Sequence, residues 1–370
     1  MFGFVATVVA IGLEPLAHQW RATLRPGTRA GETRQTTKVY SIGTNEHELQ
    51  PPPGGLQLAD EHTVSEASIA AADHNSRHWT AADEEGRIAV GSTLHRRVTC
   101  RMFRETFNPY KPSILDWPML SSEAQDRLIH LPIWNIAVQT EGKARRRMIS
   151  YANSLVDEEW RIAIGLNGWE EGRHKKVLSN LVRAYGISLD PEPEYIEPRD
   201  TEWAYLVTGF SECIDSFFAF GLFELAKRSG FFPTELVDTF EPVIQEECRH
   251  ILLFANWVAW HRRTMPWYKR PLFELRVAAV WVFLGWERLS IARGMDSGAK
   301  GNANDNNFTV TGSKSVSNVN ISTAELMRIC LSENDRRFAG YDSRLLRPTT
   351  TPNLVRFALC FSRKKPASTT

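Results

Sequence analysis

From residue 121 onward, apolar side chains recur at three- and four-residue spacing over long stretches, the period of amphipathic helices. Ser121, Ser122 and Glu123 open a first helix that runs to about residue 154, with a break near Pro132. A second is expected over about 157–185, stopped by Gly186. A loop rich in Pro and Glu, 190–199, leads to a third over about 202–228, closed by Gly230. The fourth begins at Pro233 and Thr234 and continues to about 263. A fifth, about 272–292, is apolar almost all round. Ser322 followed by Glu325 has capping-box spacing and opens a short last helix through about Cys330.

The remaining segments lack that period. Residues 25–55 are rich in Gly, Pro, Thr and charge and include Pro51-Pro52-Pro53-Gly54-Gly55. Residues 297–320 are dominated by Asn, Ser, Gly and Lys, which reads as a flexible surface loop. The pattern therefore predicts an all-α chain in three parts: a disordered or loosely structured extension over 1–105, a helical domain over 106–292, and a flexible loop with a C-terminal helix and tail over 293–370. His62, His74 and His78, beside Asp73, sit in the first part; a solvated polar stretch is the expected reading and a zinc site the alternative.

Composition narrows the options. With 44 basic residues against 43 acidic ones, no global field selects nucleic acid as a partner. The apolar runs 251–260 and 277–286 are about ten residues each, half of the roughly 20 that cross a bilayer. No membrane partner is expected. The N-terminal 13 residues are apolar but lack the basic start of a secretory signal. Five cysteines (Cys100, Cys213, Cys248, Cys330, Cys360) are scattered and odd in number, with no Cys-x-x-Cys. They argue against a disulfide scaffold and for a reducing, cytoplasmic setting. The sequons at Asn307 and Asn320 carry no meaning there.

One local pattern occurs twice: Glu170-Glu171-Gly172-Arg173-His174 and Glu246-Glu247-Cys248-Arg249-His250. Each places a carboxylate three residues before an imidazole, so both side chains share one helix face and reach one metal ion. A dinuclear site needs one more Glu from each of two further helices. Glu141 lies 30 residues before Glu171, and Glu212 lies 35 before Glu247. At 1.5 Å per residue, roughly 14 residues out to the turn at Ser154 and roughly 15 back bring Glu141 level with Glu171. Glu212 and Glu247 match to within about one and a half turns about Gly230. The candidate ligands are therefore Glu141, Glu171, His174, Glu212, Glu247 and His250. Asp215 is the candidate hydrogen-bond acceptor for a ligating histidine; Arg173 and Arg249 would neutralise the carboxylates from behind. Carboxylate oxygens with one imidazole per ion suit Fe or Mn, whereas thiolates would suggest zinc. Cys213 and Cys248 adjoin ligands but point about 100° away and are expected to be core fillers.

On these residues, together with Gly209-Phe210-Ser211-Glu212 and the Gln245–His250 run, the chain resembles the bacterial ferritin-like superfamily of di-iron carboxylate proteins. It is most similar to ferritin-like domain proteins of uncharacterised function. The resemblance covers about residues 104–263, with weaker support to 292. It implies a ferritin-like four-helix bundle, here with an additional C-terminal apolar helix, around two Fe ions or an Fe/Mn pair. The expected activity is an oxygen-activating oxidoreductase with a small organic substrate and oxygen as reactants. No flavin or nicotinamide fingerprint is visible, so electrons would come from an external donor. Iron oxidation and storage, or a non-catalytic helical scaffold, are the alternatives, and a homodimer is compatible with all three.

Overall fold

The computed structural model describes residues 51–58, 64–110, 117–130, 134–230, 232–296 and 322–362. Among them the chain is all-helical: α1 (Glu66–Arg77), α2 (Thr93–Glu105), α3 (Ser122–Ile129), α4 (Trp134–Ser154), α5 (Glu158–Ala184), α6 (Thr201–Ser229), α7 (Thr234–Thr264), α8 (Arg270–Asp296), α9 (Thr323–Phe338) and α10 (Thr350–Ser362). The four long helices α4 to α7 lie side by side. α8, α9 and α10 pack on α6, and α2 packs across α5 and α7.

Local chemistry sets the boundaries. Asp157 and Asp200 accept hydrogen bonds from the Trp160 and Trp203 amides, capping α5 and α6, and Ser322 caps α9 through Glu325 N–H. Gly230 ends α6 at φ 62°, a left-handed conformation that side chains other than glycine resist. Gly209 on α6 lets the Phe254 ring of α7 approach so closely that a Cβ would sit 2.2 Å from it. That contact belongs to an aromatic stack at one end of the long helices, with Tyr151 and Tyr205 rings 4.4 Å apart and Trp257 4.7 Å from Tyr205. A smaller cluster of Leu128, Trp134, Leu181, Tyr185 and Leu236 fills the other end. The polar residues discussed below lie between these two.

Four expectations need adjusting. The first helix is two, α3 and α4; residues 131–133, which include the expected break, lie outside the described residues. The last helix continues two turns beyond Cys330, because the charged run after it is held inward: Arg337 is buried and reaches Glu241 at 3.0 Å. α10 had no counterpart in the expected pattern. Most consequentially, the loose extension does not run to residue 105. α1 and α2 are formed, and Val98, Met102 and Phe103 on α2 are fully buried against the long helices. The apolar stripe of α2 was hidden by its arginines, which pair outward with Asp83, Glu84 and Asp157. Residues 1–50, the Asn-rich segment 297–320 and the tail after Lys364 lie outside the described residues.

Among the described helices one, Thr201–Arg228, is long and apolar enough to cross a membrane by length and composition, and 61% of its apolar window is buried inside the protein. His74 and His78 stack on each other, and Asp73 pairs with Arg77 at 3.0 Å; His62 lies outside the described residues.

Candidate metal centre

The two Glu-Glu-x-Arg-His segments lie in the middles of α5 and α7, and the helices set them face to face. Glu171 and His174 project from one helix, Glu247 and His250 from the other, each pair one turn apart. His174 Nδ1 is 3.1 Å from Glu247 Oε1, and His250 Nδ1 is 2.9 Å from Glu171 Oε1. One ligand atom from each of the four lies within 4.8 Å of the others, a group that could hold a metal ion. Glu141 Oε2 approaches His174 Nδ1 at 3.8 Å from α4.

Behind each imidazole stands a second carboxylate. His174 Nε2 meets Glu246 Oε2 at 2.8 Å, and His250 Nε2 meets Glu170 Oε2 at 2.9 Å. The remaining oxygen of each of these glutamates takes an arginine: Arg249 donates to Glu170 Oε1 at 2.8 Å, and Arg173 donates to Glu246 Oε1. The Arg-His dipeptide of each helix thus grips the outer glutamate of the other, a crossed clasp with near two-fold symmetry. Segment α2 and the turn after it anchor both arginines. Arg249 donates to Thr106 Oγ1 at 2.8 Å and to the Phe103 carbonyl at 2.6 Å; Arg173 donates to the Asn108 carbonyl at 2.8 Å. Glu170, Arg173, His174, Arg249 and His250 are all 1% exposed or less, so every charge in the clasp is desolvated and depends on its partner.

The clasp fixes the tautomers. Glu170 and Glu246, both already bound by arginine, accept the Nε2 protons, so each imidazole in its neutral form presents the Nδ1 lone pair inward. Both Nδ1 atoms and Glu171 Oε1 are buried with no hydrogen-bond partner, as are both carboxylate oxygens of Glu212. Lone pairs facing carboxylates at about 3 Å repel unless a cation lies between them or a proton joins each ring. Burial disfavours charge on His174, yet the Glu246 and Glu247 carboxylates outweigh it and raise the ring to about 9. Glu141 and Glu212 also hold their protons more tightly: burial first, then the charge of Glu171, holds both well above the usual carboxylate range. Glu141, Glu171 and Glu247 face the imidazoles, whereas each of the two clasp glutamates is bound by an arginine. This gathering of inward carboxylates and imidazoles is a group that could hold a metal ion, which would offset the cost of burying the carboxylates.

A cavity of about 360 Å³ adjoins the cluster. Glu141, Glu171, His174, Glu212 and Glu247 line it together, and Trp134, Ala137, Ala219, Phe223, Phe240 and Ile244 make much of its remaining wall apolar. All six expected ligands therefore converge: four within one group, Glu141 beside His174, and Glu212 on the shared cavity.

The second-layer expectations divide. Arg173 and Arg249 do stand behind the carboxylates. Asp215 is not a histidine acceptor; Arg288 at 2.7 Å and Ser211 at 3.0 Å occupy it. That role falls to Glu170 and Glu246, to which the sequence reading assigned no role. The signal was present in the doubled glutamate of both segments: the first Glu, one residue before the ligand, points about 100° round the helix toward its neighbour. Thr106 and Asn108 left no such signal. Cys248 is a core filler, its Sγ against the Arg337 carbonyl and its thiol pushed up to about 12 by burial. Comparison with protein-family models, curated proteins and solved structures returns no match for this chain.

Proposed function

We propose that α4 to α7 form a ferritin-like bundle around two metal ions, iron or an iron/manganese pair, and that the protein is an oxygen-activating oxidoreductase acting on an organic substrate. The observation that carries this reading is the set of partnerless buried atoms, Nδ1 of His174 and His250 with Oε1 of Glu171 and both oxygens of Glu212, at and beside a group that could hold a metal ion. Bound there, a redox-active pair would supply electrons to oxygen and oxidising power to the substrate. The residues divide the remaining work. Glu171, His174, Glu247 and His250 hold the ions, and Glu141 and Glu212 complete the carboxylate set from α4 and α6. Glu170 and Glu246 retain the Nε2 protons and keep Nδ1 available for coordination. The apolar walls of the cavity exclude water and favour a substrate with an apolar body lying against Glu141 and Glu212. Electrons come from an external donor. The five cysteines are unpaired, which suits a reducing cytoplasm.

Metal analysis of anaerobically purified protein tests the reading. Two ions per chain are expected, with the number lowered in Glu171→Ala and in His250→Ala, and oxygen uptake on adding a reductant. Unchanged stoichiometry in both variants rejects the assignment. A folded chain that takes up no iron or manganese would mean that protons, not ions, join the imidazoles to the carboxylates, and the centre would be a buried ionic scaffold.

A further inference from the structure

The outer face of α8 bears an apolar seam. Leu272, Leu275, Ala279, Val282 and Trp286 follow one another at spacings of three, four, three and four residues, the a/d repeat of a coiled coil. All five are exposed in this chain, Leu272 at 70%, Leu275 at 68%, Val282 at 73% and Trp286 at 60%. The opposite face carries the residues that pack inward, among them Phe273, Val277, Val280 and Leu284. A helix needs one apolar stripe to dock on its own domain; α8 has two.

We propose that this outer seam is the interface with a second copy of the same chain, the two α8 helices packing antiparallel about a two-fold axis. Three observations select that occupant. A 3.5-residue period matches a facing helix, since only a helix presents holes at the same interval. The charges flanking the seam are already engaged within the chain, Arg262 with Glu274 and Arg276 with Glu202 at 2.6 Å each, which suits an apolar helix rather than an anionic lipid surface. The seam residues offer roughly 600 Å² of apolar side chain per copy, on the order of 1,200 Å² for two, the lower bound of a standard interface.

Gly285 adds an independent indication. It lies beside the seam, seven residues after the exposed Ala278, and a Cβ placed on it would meet nothing within 4 Å. Glycine weakens a helix interior, and among the described residues no close contact calls for it there. An antiparallel pair supplies one: with Ala279 of one copy against Val282 of the other, Ala278 falls beside Gly285 and the backbones approach closely. Antiparallel alignment also sets the two helix dipoles head to tail. The consequence reaches the cavity, because Phe283 lines it and is 42% exposed at the edge of the seam. A second copy would cover that wall.

Sedimentation equilibrium on the full chain tests the pairing independently of the metal reading, since metal content is measured on the same samples. A dimer at micromolar concentration is expected, with its dissociation constant raised about 100-fold by Val282→Glu and about tenfold by Gly285→Ala. Metal content and helical circular dichroism should stay at the wild-type level in both. In a Cys360→Ser background, Ala279→Cys chains mixed with Val282→Cys chains should cross-link to each other on mild oxidation. A monomer at tens of micromolar, a dimer unaffected by Val282→Glu, or cross-linking of each variant only with itself would overturn the antiparallel pair. So would a monomer that co-sediments with phosphatidylcholine/phosphatidylserine vesicles and loses that binding in Val282→Glu, which would assign the seam to a lipid surface.

Discussion

The two sides of the carboxylate cluster are built in opposite ways. On the α2 side both arginines of the clasp are anchored: Arg249 alone reaches Glu170, the Thr106 hydroxyl and the Phe103 carbonyl, and Arg173 reaches Glu246 and the Asn108 carbonyl. On the cavity side Glu141 and Glu212 face open space, and both Glu212 oxygens lack a hydrogen-bond partner. A site that only had to bury charge would be satisfied all round. One that must exchange ligands needs a rigid back and an accessible front, and its ligand shell should tighten or loosen according to which side is altered.

The clasp side is where substitution should cost most. Arg249→Met removes the nearer of the two arginines beside fully buried Glu170, and three hydrogen bonds, and is expected to destabilise the fold by about 3–5 kcal/mol in urea unfolding. A loss below about 1 kcal/mol would mean that the back is not rigid and the contrast is false. Glu170→Gln retains shape while weakening the grip on His250 Nε2. Metal affinity should fall roughly 10–100-fold with the fold intact, and Glu246→Gln should do the same through His174. Unequal losses, read by chelator competition, would show that the near two-fold arrangement does not extend to the two ions.

How much of this was legible depended on periodicity. α5, α6 and α7 were readable to within a few residues because their apolar stripes are long and their ends carry Asp157, Gly186, Asp200 and Gly230. The six inward groups were legible because i, i+3 spacing repeats on two helices and the hairpin lengths return Glu141 and Glu212 to the same level. α2 was not, because Arg96, Arg97 and Arg101 interrupt its stripe, and what buries Val98 and Phe103 is a surface contributed by α5 and α7. Asp215 was misassigned for a related reason. Its partner Arg288 comes from α8, whose placement no local pattern specifies.

The rigid side also has a pH limit away from the ligands. His95 on α2 donates Nε2–H to Asn256 Oδ1 at 3.0 Å and accepts the Gly91 amide on Nδ1 at 3.3 Å, so it is held as the neutral ring. Burial lowers its proton affinity and the Asn256 contact offsets only part of that. The unfolded chain therefore binds the extra proton first. Stability from this group is complete above about pH 6.5 and declines as pH falls through the window below it, each tenfold difference in proton affinity corresponding to about 1.4 kcal/mol. His95→Gln keeps a donor toward Asn256 and should flatten the slope of unfolding free energy between pH 7 and pH 5. An unchanged slope would assign the acid sensitivity elsewhere.

The open side should give the smallest effect on stability and the sharpest on ligands. Ala219 lines the cavity on α6, and its replacement by Val adds two methyl groups where about 360 Å³ is available. No packed neighbour has to move far, so the unfolding free energy should change by less than about 1 kcal/mol, mostly through the lower helix propensity of valine. An apolar probe that fits the wild-type cavity should lose affinity in the variant while metal content stays at its wild-type value. A large loss of stability would mean that the apolar walls close on themselves in solution and that the front of the site is as tightly packed as its back.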